Sequence, residues 1–334
     1  MTNTTILHVE GLEVSFKDRQ ASVTAIRDVS FSVRRGKTLA LVGESGSGKS
    51  VSSLALMNLL PSNAVTTAKK MRFWPDNYQT PIDINRLNSE EVRQLRGSQI
   101  AMIFQEPMSS LNPLYSIGDQ IGEMLLLHEN IDSITRKKRV IEMLELVEIP
   151  AAKQRYYSWP HELSGGMRQR AMIAQALVCN PTLLIADEPT TALDVTIQAQ
   201  ILDLMRRLQT EFGMSILFIT HDLGVVAEMA DDVAVMYAGQ VVEQATTEQL
   251  FSIPCHPYTH GLLRSIPGYG RTSGRLIPIP GSVPSLNALP KGCSFAPRCR
   301  FATQICTENH IPLRKYKPGN YSRCILEEQV FSYD

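Results

Sequence analysis

The fold is decided by Thr38-Leu-Ala-Leu-Val42 and the residues that follow it, Gly43-Glu44-Ser45-Gly46-Ser47-Gly48-Lys49-Ser50. The apolar run predicts a buried strand, and residues 51–60 predict a helix that ends before Pro61. The turn between them matches G-x-x-x-x-G-K-[ST], whose backbone N–H groups cradle nucleotide phosphates. We expect the whole turn to bind a nucleotide, with Lys49 on the β- and γ-phosphates and Ser50 on Mg²⁺. A glycine-rich turn without a ligand is the alternative, and the flanking strand and helix argue against it.

A second apolar run ends in neighbouring carboxylates, in the segment Leu183-Leu-Ile-Ala-Asp187-Glu188. Ligands of α/β sheets bind at the carboxyl ends of the strands. We expect Asp187 to complete the Mg²⁺ shell and Glu188 to polarise the attacking water in phosphoryl transfer. Adjacent acids could also form a surface turn, but the phosphate loop favours the catalytic interpretation.

Length and charge limit the class of protein. A chain of 334 residues can hold one large domain and a smaller one. Its 33 Lys and Arg residues balance 33 Asp and Glu residues, which gives no support for a strongly electrostatic partner such as nucleic acid. No run approaches the ~18 apolar residues of a membrane-spanning helix, and the N-terminus lacks a secretory signal pattern. We expect a soluble cytosolic protein whose membrane role comes through a partner.

Strands and helices alternate along most of the chain. A buried strand is predicted at 183–186 and further strands at 215–220 and 233–237, and apolar residues trace one face of a helix over 197–212. This alternation predicts an α/β fold with a largely parallel sheet. Residues 6–16 are predicted to form an edge strand, and the polar residues 61–99 a peripheral β-rich insertion. From about residue 265, frequent prolines leave no helix or strand period.

The segment Leu163-Ser164-Gly165-Gly166-Met167-Arg168-Gln169-Arg170 resembles the signature sequence of ABC ATPases. With the phosphate loop and the carboxylates, it makes the chain similar to an ABC-type P-loop nucleotide-binding domain with β-rich and α-helical subdomains. The resemblance implies that Ser164, Gly165 and Gly166 bind the γ-phosphate of a nucleotide held by a second subunit. Ser-Gly-Gly at a helix N-terminus also suits an anion on physical grounds. A helix cap without a ligand is the alternative.

Further positions match the same family residue by residue. Gln105 resembles the glutamine that senses Mg²⁺ and faces the transmembrane partner, and His221 resembles the switch histidine near the γ-phosphate. Asp194 lies in Thr191-Ala-Leu-Asp194, which is similar to the D-loop with threonine in place of the usual serine. Phe16 matches the aromatic residue that stacks on adenine, although core packing is the alternative for it.

The C-terminal segment makes the resemblance more specific, because it is similar to one group within the ABC ATPases. The segment His256-Pro-Tyr-Thr259, with Leu262-Leu263 and the later cysteines, is similar to the tails of oligopeptide, dipeptide and nickel importers. We expect residues 1–255 to form the nucleotide-binding domain, with a helical signature subdomain at about 105–180. Residues 256–334 are expected to form a C-terminal extension that contains the cysteines.

The resemblance implies an ATP-hydrolysing subunit that energises the import of di- or oligopeptides at the cytoplasmic face of the cell membrane. ATP and Mg²⁺ are the implied ligands. The implied partners are a second, different ATPase subunit, two transmembrane permease subunits and a periplasmic or extracellular substrate-binding protein, with no nucleic acid. An importer of nickel or glutathione stays open, and a soluble ABC ATPase acting on nucleic acid or the ribosome is the alternative of another class.

Clustered cysteines occupy the tail, namely Cys293, Cys299, Cys306 and Cys324. In a cytosolic protein such clustering indicates metal binding more than disulfides. The spacing matches neither the zinc-ribbon nor the common ferredoxin patterns, so it leaves Zn²⁺, an iron–sulfur cluster and structural cysteines without metal open. Similarity to peptide-importer tails implies a 4Fe–4S cluster. Cys179 is predicted to be a core thiol, and Cys255 is unassigned.

Overall fold

The computed structural model describes residues 4–17, 22–75, 80–105, 110–191, 193–266 and 278–326. Its strands, in chain order, are β1 (Thr5–Lys17), β2 (Ser22–Arg34), β3 (Thr38–Val42), β4 (Ala64–Thr67), β5 (Lys70–Phe73), β6 (Ile82–Asp83), β7 (Ile100–Ile103), β8 (Leu183–Asp187), β9 (Ser215–Thr220), β10 (Asp232–Tyr237), β11 (Gln240–Thr246), β12 (Arg314–Lys317) and β13 (Asn320–Ser322). Its α-helices are α1 (Lys49–Leu56), α2 (Ser89–Leu95), α3 (Ile117–His128), α4 (Ser133–Leu146), α5 (Ala152–Arg155), α6 (Gly165–Leu177), α7 (Val195–Phe212), α8 (Leu223–Met229), α9 (Thr247–Ser252), α10 (Pro257–Arg264) and α11 (Gln304–Glu308).

A central sheet carries the core of the chain, with the strand order β12-β13-β11-β10-β3-β9-β8-β7. The strands β10, β3, β9, β8 and β7 are parallel neighbours. Every residue of β3, β8 and β9 is buried. Because both faces of such strands are covered, their sequences are continuous apolar runs and do not alternate. The predicted α/β fold with a largely parallel sheet is confirmed.

A second, antiparallel sheet has the order β2-β1-β5-β6, and β4 also pairs with β1. β1 pairs with β2 along its length, and its other side pairs with β4 and β5. The prediction of an edge strand at residues 6–16 is therefore wrong, because the segment 61–99 returns strands to the second side of β1. That segment is β-rich as predicted, and it continues into α2, which begins at a capping box on Asn88.

Helices α3 to α6 form a helical region between β7 and β8. Ile117, Ile121 and Leu125 are fully buried at helical spacing on α3, and they share an apolar cluster with Val140 and Leu144 of α4. The same cluster continues into β7, β8 and α7. The helical region therefore shares its core with the central sheet.

The tail is built onto one edge of the central sheet. Helix α10 buries Tyr258 and Leu263, and β12 and β13 form a hairpin in which β13 pairs with β11 at Gln244 opposite Tyr321. The sequence shows no helix or strand period from about residue 265, yet the tail contains α11, β12 and β13, because elements this short leave no period in a sequence. Residues 267–277 and 327–334 of the predicted extension lie outside the described residues. Within the described ranges, no helix combines the length and apolarity needed to cross a bilayer.

Candidate nucleotide-binding and hydrolysis site

The phosphate loop joins the buried strand β3 to helix α1. A Cβ on Gly43 would lie 2.2 Å from the carbonyl oxygen of Met236, so only glycine fits where the loop leaves the strand. Gly46 and Gly48 have φ angles of 75° and 99°, which side chains rarely allow. These glycines let the backbone curl ahead of the α1 N-terminus, where helix N–H groups favour negative charge. The loop thus has the conformation that the motif predicts.

Lys49 lies inside this loop and is 5% exposed. Its Nζ donates to the carbonyl oxygens of Gly43 and Glu44 at 2.8 and 3.1 Å. Burial lowers the pKa of Lys49, while the carboxylates of Glu188 and Asp187 act in the opposite direction. An ammonium group has three donors. Lys49 can therefore bind a ligand with its remaining donor while the loop fixes its position.

Ser50 and Asp187 are 137 residues apart in the chain and meet at the carboxyl end of β8. Ser50 Oγ donates to Asp187 Oδ1 at 3.1 Å. Asp187 is 4% exposed. Burial raises its pKa, and the hydrogen bond from Ser50 opposes that shift. Hydroxyl and carboxylate oxygens are ligands that Mg²⁺ prefers, so the pair fits the predicted magnesium site.

Glu188 follows directly and is held from several sides. Its N–H donates to the carbonyl oxygen of Ile219 at 2.9 Å, and its φ is 47°. Its carboxylate accepts hydrogen bonds from Gln105 Nε2 at 3.1 Å and Thr191 Oγ1 at 3.0 Å, and lies 3.1 Å from His221 Nδ1. A left-handed conformation costs a non-glycine residue about 1–3 kcal/mol, so the surrounding contacts must hold Glu188 in place. The predicted residues Gln105, Glu188 and His221 converge here.

The charge of Glu188 is favoured in this setting. Burial acts to raise its pKa, but hydrogen bonds from His221 and Thr191 outweigh burial, and the net pKa lies below the ordinary value. An ionised carboxylate can accept a hydrogen bond or a proton from water. Sequence reasoning missed Thr191 as a partner of Glu188. The available signal was a hydroxyl three residues after the carboxylate, in a turn closed by the Thr191 N–H on the Glu188 carbonyl oxygen at 3.1 Å.

The signature segment forms the N-terminus of α6. Ser164 caps this helix, with its Oγ accepting a backbone N–H at 3.3 Å. Apart from its chain neighbours and the backbone of its own helix, no described atom lies within 4 Å of a Cβ built on Gly165, so the space beside it is open. Buried Gln169, on the same helix, donates through Nε2 to the carbonyl oxygen of Pro189. Sequence reasoning missed this contact, which ties the signature helix to the segment that follows Glu188.

Other predicted residues lie elsewhere around the site. Asp194 caps α7, and its side chain accepts the N–H of Ile197 at 3.0 Å. Phe16 lies near the end of β1, opposite Val23 and Ala64, and packs partly against an apolar cluster. The contacts of Asp194 and Phe16 with a nucleotide stay predictions.

The tail cysteines lie near one another. Burial, with a smaller contribution from the other three tail sulfurs, raises the pKa of Cys324 to about 12. Burial likewise raises the pKa of Cys293 to about 11. Within the described ranges, however, no three His, Cys, Asp or Glu side chains are arranged to hold a metal ion. The predicted cluster ligands are therefore not confirmed.

The remaining cysteines have structural surroundings. Cys179 packs against the main apolar cluster, and burial raises its pKa to about 11, as expected of a core thiol. Cys255 is buried, and its Sγ accepts a hydrogen bond from Asn320 Nδ2 at 3.2 Å. Cys255 therefore helps to join the predicted nucleotide-binding domain (residues 1–255, the cassette) to the predicted extension (residues 256–334, the tail).

Known proteins match both the cassette and the tail. A sequence profile described as ABC transporter matches residues 26–191, and one described as oligopeptide/dipeptide transporter, C-terminal region, matches residues 242–306. The oligopeptide transport ATP-binding protein AppD of Bacillus subtilis is 49% identical over 325 residues, covering 97% of this chain and 98% of that protein. The chain belongs to the ABC transporter family of oligopeptide and dipeptide transport ATP-binding proteins.

Further members of the ABC transporter family agree with this assignment. The dipeptide transport ATP-binding protein DppD of Escherichia coli is 47% identical over 319 residues, covering 96% of each chain. Among solved structures, a dimeric ATP-binding cassette in a post-hydrolysis state, bound to ADP and phosphate, matches with a TM-score of 0.62 and 26% identity. That match covers 72% of this chain and 98% of the other. The ABC cassette fold and the predicted family are confirmed.

Proposed function

We propose that this ABC transporter ATP-binding protein hydrolyses ATP to energise the import of di- and oligopeptides by a multi-subunit membrane transporter. The observation that carries the proposal is the convergence of Gln105, Thr191 and His221 on the carboxylate of Glu188, beside the buried carboxylate of Asp187. The importer assignment is supported by relatives named as oligopeptide and dipeptide transport ATP-binding proteins, which match almost the whole chain.

The residues of the site divide the chemistry between them. The phosphate loop binds the ATP phosphates through backbone N–H groups, and Lys49 donates to the β- and γ-phosphates. Ser50, Asp187 and Gln105 would hold Mg²⁺, which would neutralise charge on the phosphates. Glu188 accepts a hydrogen bond from the attacking water and orients it. His221 stabilises the charge that develops on the γ-phosphate.

A second, different ATPase subunit completes the site. Ser164, Gly165 and Gly166 lie at the N-terminus of α6, where they can contact a γ-phosphate bound by the partner subunit. Val195, which follows the D-loop Asp194, is 83% exposed, as expected of a surface that a dimer covers. ATP adds contacts that only the closed dimer makes, so ATP binding favours closure and hydrolysis removes that preference.

An apolar surface on the helical region is proposed as the docking site of the two permease subunits. Leu114, Tyr115, Leu126 and Leu127 are between 58% and 74% exposed. Tyr115 and Leu126 line a groove of about 660 Å³ at this surface. Exposed large apolar side chains grouped in this way indicate a protein interface. Docking there places the chain at the cytoplasmic face of the cell membrane, and a periplasmic or extracellular substrate-binding protein supplies the peptide.

Two finer assignments complete the proposal. Phe16 stacks on the adenine ring from the end of β1. The cassette comprises residues 1–255, with its helical signature subdomain at about 105–180, and the extension comprises residues 256–334. Because β13 pairs with β11, this boundary divides the sequence but not the central sheet.

We further propose that the tail holds a 4Fe–4S cluster through four thiolates, those of Cys293, Cys299, Cys306 and Cys324. Although burial raises the pKa of the Cys293, Cys299 and Cys324 thiols, hydrogen bonding from backbone N–H groups acts to lower each pKa and supports this proposal. Such hydrogen bonds stabilise negative charge on sulfur, and four thiolates are the usual ligand set of this cluster.

Metal analysis of the anaerobically purified full chain tests the cluster. We expect iron and inorganic sulfide in equal amounts, and we expect Cys306→Ser to lose both. Cys179→Ser is the matched control, because Cys179 packs in the apolar core and should leave the iron content unchanged. Protein that contains zinc alone, or no metal, would contradict the proposed cluster.

Assembly tests the transport function. The full chain, purified with its partner subunits and placed in lipid vesicles, should take up a labelled oligopeptide only when ATP is present. Phosphate release should rise when the peptide-loaded binding protein is added. Nickel and glutathione serve as competing cargoes, and uptake of either in place of peptide would revise the substrate. A chain that never assembles with a permease, and whose hydrolysis responds to nucleic acid or ribosomes, would overturn the importer function.

A further inference from the structure

The tail contacts the phosphate loop at Glu44. The N–H of Glu44 donates to the hydroxyl oxygen of Tyr258 at 2.9 Å, and its carboxylate accepts a hydrogen bond from Arg298 Nη1 at 2.8 Å. Tyr258 lies on α10, 214 residues further along the chain, and Arg298 ends the short turn Ala296–Arg298, 254 residues further along. The fold thus brings two tail residues onto one position of the nucleotide-binding loop.

Arg298 is held firmly in the geometry of this ion pair. Its side chain is 6% exposed. Its Nε donates to the carbonyl oxygen of Pro280 at 3.0 Å, and its guanidinium lies over the rings of Tyr237 and Phe295 at 5.8 and 5.9 Å. An arginine fixed in this way loses little freedom when it binds a carboxylate. Removing either charge leaves the other poorly solvated, so the contact resists displacement.

Glu44 also supports Lys49. Lys49 Nζ donates to the carbonyl oxygens of Gly43 and Glu44. Each polar group of Glu44 therefore has a partner: its N–H binds Tyr258, its carboxylate binds Arg298 and its carbonyl oxygen binds Lys49. A displacement of Glu44 would move the lysine that faces the nucleotide phosphates.

A second connection runs from the tail to the same loop. Ser294 Oγ accepts a hydrogen bond from Arg27 Nη2 at 3.0 Å, and Arg27 also donates to the carbonyl oxygen of Ala238 at 3.1 Å. The next residue, Gly239, donates its N–H to the carbonyl oxygen of Ser47 at 3.0 Å. The phosphate loop is therefore linked to the segment 294–298 at two of its residues.

We propose that Arg298, together with Tyr258, is a positioning residue for the phosphate loop, so that the conformation of the tail sets the affinity of the cassette for ATP. This inference rests on the proposed ATPase function of the same site. Arg298 acts through Glu44, whose carboxylate it binds and whose carbonyl oxygen accepts a hydrogen bond from Lys49. Substitution of Arg298 should therefore change the KM for ATP more than it changes kcat.

Steady-state ATP hydrolysis by the full assembled transporter tests this inference. Arg298→Met should raise the KM for ATP about tenfold and change kcat by less than about threefold, since a charge-assisted hydrogen bond is lost at a distance from the reacting atoms. Arg298→Lys should recover part of the affinity, because it keeps the charge without the fork. Arg86→Met is the matched control, since Arg86 is 85% exposed on the β-rich insertion, and it should leave KM unchanged.

A double variant tests whether the effect passes through Glu44. Glu44→Gln should raise KM to a similar degree, and adding it to Arg298→Met should cause little further loss, because both changes break one contact. If the KM increases caused by Glu44→Gln and Arg298→Met multiplied in the double variant, the inference would be overturned. An unchanged KM in Arg298→Met would also overturn it, and a lower melting temperature with an unchanged KM would leave Arg298 a purely structural role.

Further variants keep the inference testable if Arg298→Met does not fold. Glu44→Gln and Tyr258→Phe preserve the shape of each side chain, and each should raise KM. Unchanged KM values in both variants would overturn the inference. A wild-type transporter that does not hydrolyse ATP would refute the proposed function instead, so the two failures can be told apart.

Discussion

The nucleotide site and the tail bury charged groups in opposite ways. At the site, Lys49 and Asp187 are buried at the carboxyl ends of parallel strands, and their partners leave capacity for a ligand. In the tail, Arg323 is 4% exposed, and it donates to the carbonyl oxygens of Val241 and Ile311 at 3.0 and 3.2 Å. In the first region the buried charges lie where we propose that the nucleotide binds, whereas in the second the buried charge joins two parts of the chain.

Glu243 shows the same joining role. It is completely buried on β11, and its carboxylate accepts the N–H of Cys255 at 2.7 Å. Burial raises the pKa of Glu243 to about 7, against the effect of the hydrogen bonds that it accepts. Burial of an ionisable group therefore does not identify a functional site by itself, because the same burial can join two parts of a chain.

The largest effect should follow a change at the site. Glu188→Gln keeps the size of the side chain and removes the charge that we propose orients water, so kcat for ATP hydrolysis should fall about a thousandfold, equivalent to about 4 kcal/mol, with little change in KM. Phosphate release by the assembled transporter measures this. Glu211→Gln, on an exposed position of α7, is the matched control. If the Glu188 variant hydrolysed ATP at the wild-type rate, Glu188 would have no catalytic role, and the site would no longer differ from the tail in this respect.

A smaller effect, on stability, should follow a change in the tail. Arg323→Met leaves the carbonyl oxygens of Val241 and Ile311 without their donor, so the free energy of unfolding should fall by about 3 kcal/mol. Denaturant unfolding measures the loss. Arg93→Met, at a side chain that is 69% exposed, should change stability by less than about 0.5 kcal/mol. Equal stability of the two variants would mean that Arg323 does not join the tail to the cassette.

Buried His256 should make the stability of the protein depend on pH. His256 is buried, its Nδ1 accepts the N–H of Tyr258 at 3.1 Å, and burial, with Arg323, lowers its pKa to about 3. The unfolded chain takes up a proton near pH 6.5, whereas the folded chain does not. The stability that this group contributes is therefore complete above pH 6.5 and is lost as the pH falls toward 3. We expect a loss of about 2 kcal/mol between about pH 7 and pH 5 through His256.

Comparison with His256→Asn isolates this contribution. Asparagine keeps an acceptor at the N-terminus of α10 but does not titrate, so the variant should lose less stability on acidification. Glu243 acts with the opposite sign, because its raised pKa favours the folded state at low pH, but it is present in both proteins. His310→Asn, at an exposed position, should keep the wild-type pH dependence. Parallel pH profiles for His256→Asn and the wild type would contradict the prediction.

The smallest effect is expected at Thr191. Thr191→Val removes the hydroxyl that donates to Glu188 Oε2 but keeps the branched shape, so kcat should fall about fivefold, the equivalent of one hydrogen bond. Thr191→Ser restores the hydroxyl and should restore most of the rate. If valine and serine gave the same kcat, the hydroxyl would have no part in holding Glu188.

The parallel sheet and the edge that carries the site residues could be predicted, because buried strands leave continuous apolar runs in the sequence. The apolar runs before Gly43 and Asp187 identify buried parallel strands, and the carboxyl ends of parallel strands share one edge. That rule is sufficient to bring Ser50 and Asp187 together. The family resemblance added Gln105 and His221, which the structure places on Glu188.

The rest could not be predicted because it depends on single contacts between distant residues. The pairing of β1 with β4 and β5 needs the path of the insertion, which has no period that fixes it. The contact between Glu44 and Arg298 joins residues 254 positions apart, and nothing in either local sequence marks it. The arrangement of the tail cysteines likewise depends on irregular turns, where spacing alone leaves several metals open.

The pairing of β13 with β11 protects a flank of the protein. Glu243 and Gln244 lie opposite Ser322 and Tyr321, so the tail occupies backbone groups that would otherwise be free to template another chain. A chimera that contained the cassette without its tail would expose β11 as an unpaired edge strand and would self-associate. The cassette of this protein is therefore not an independent unit. Exchanges of the cassette between relatives should include the tail.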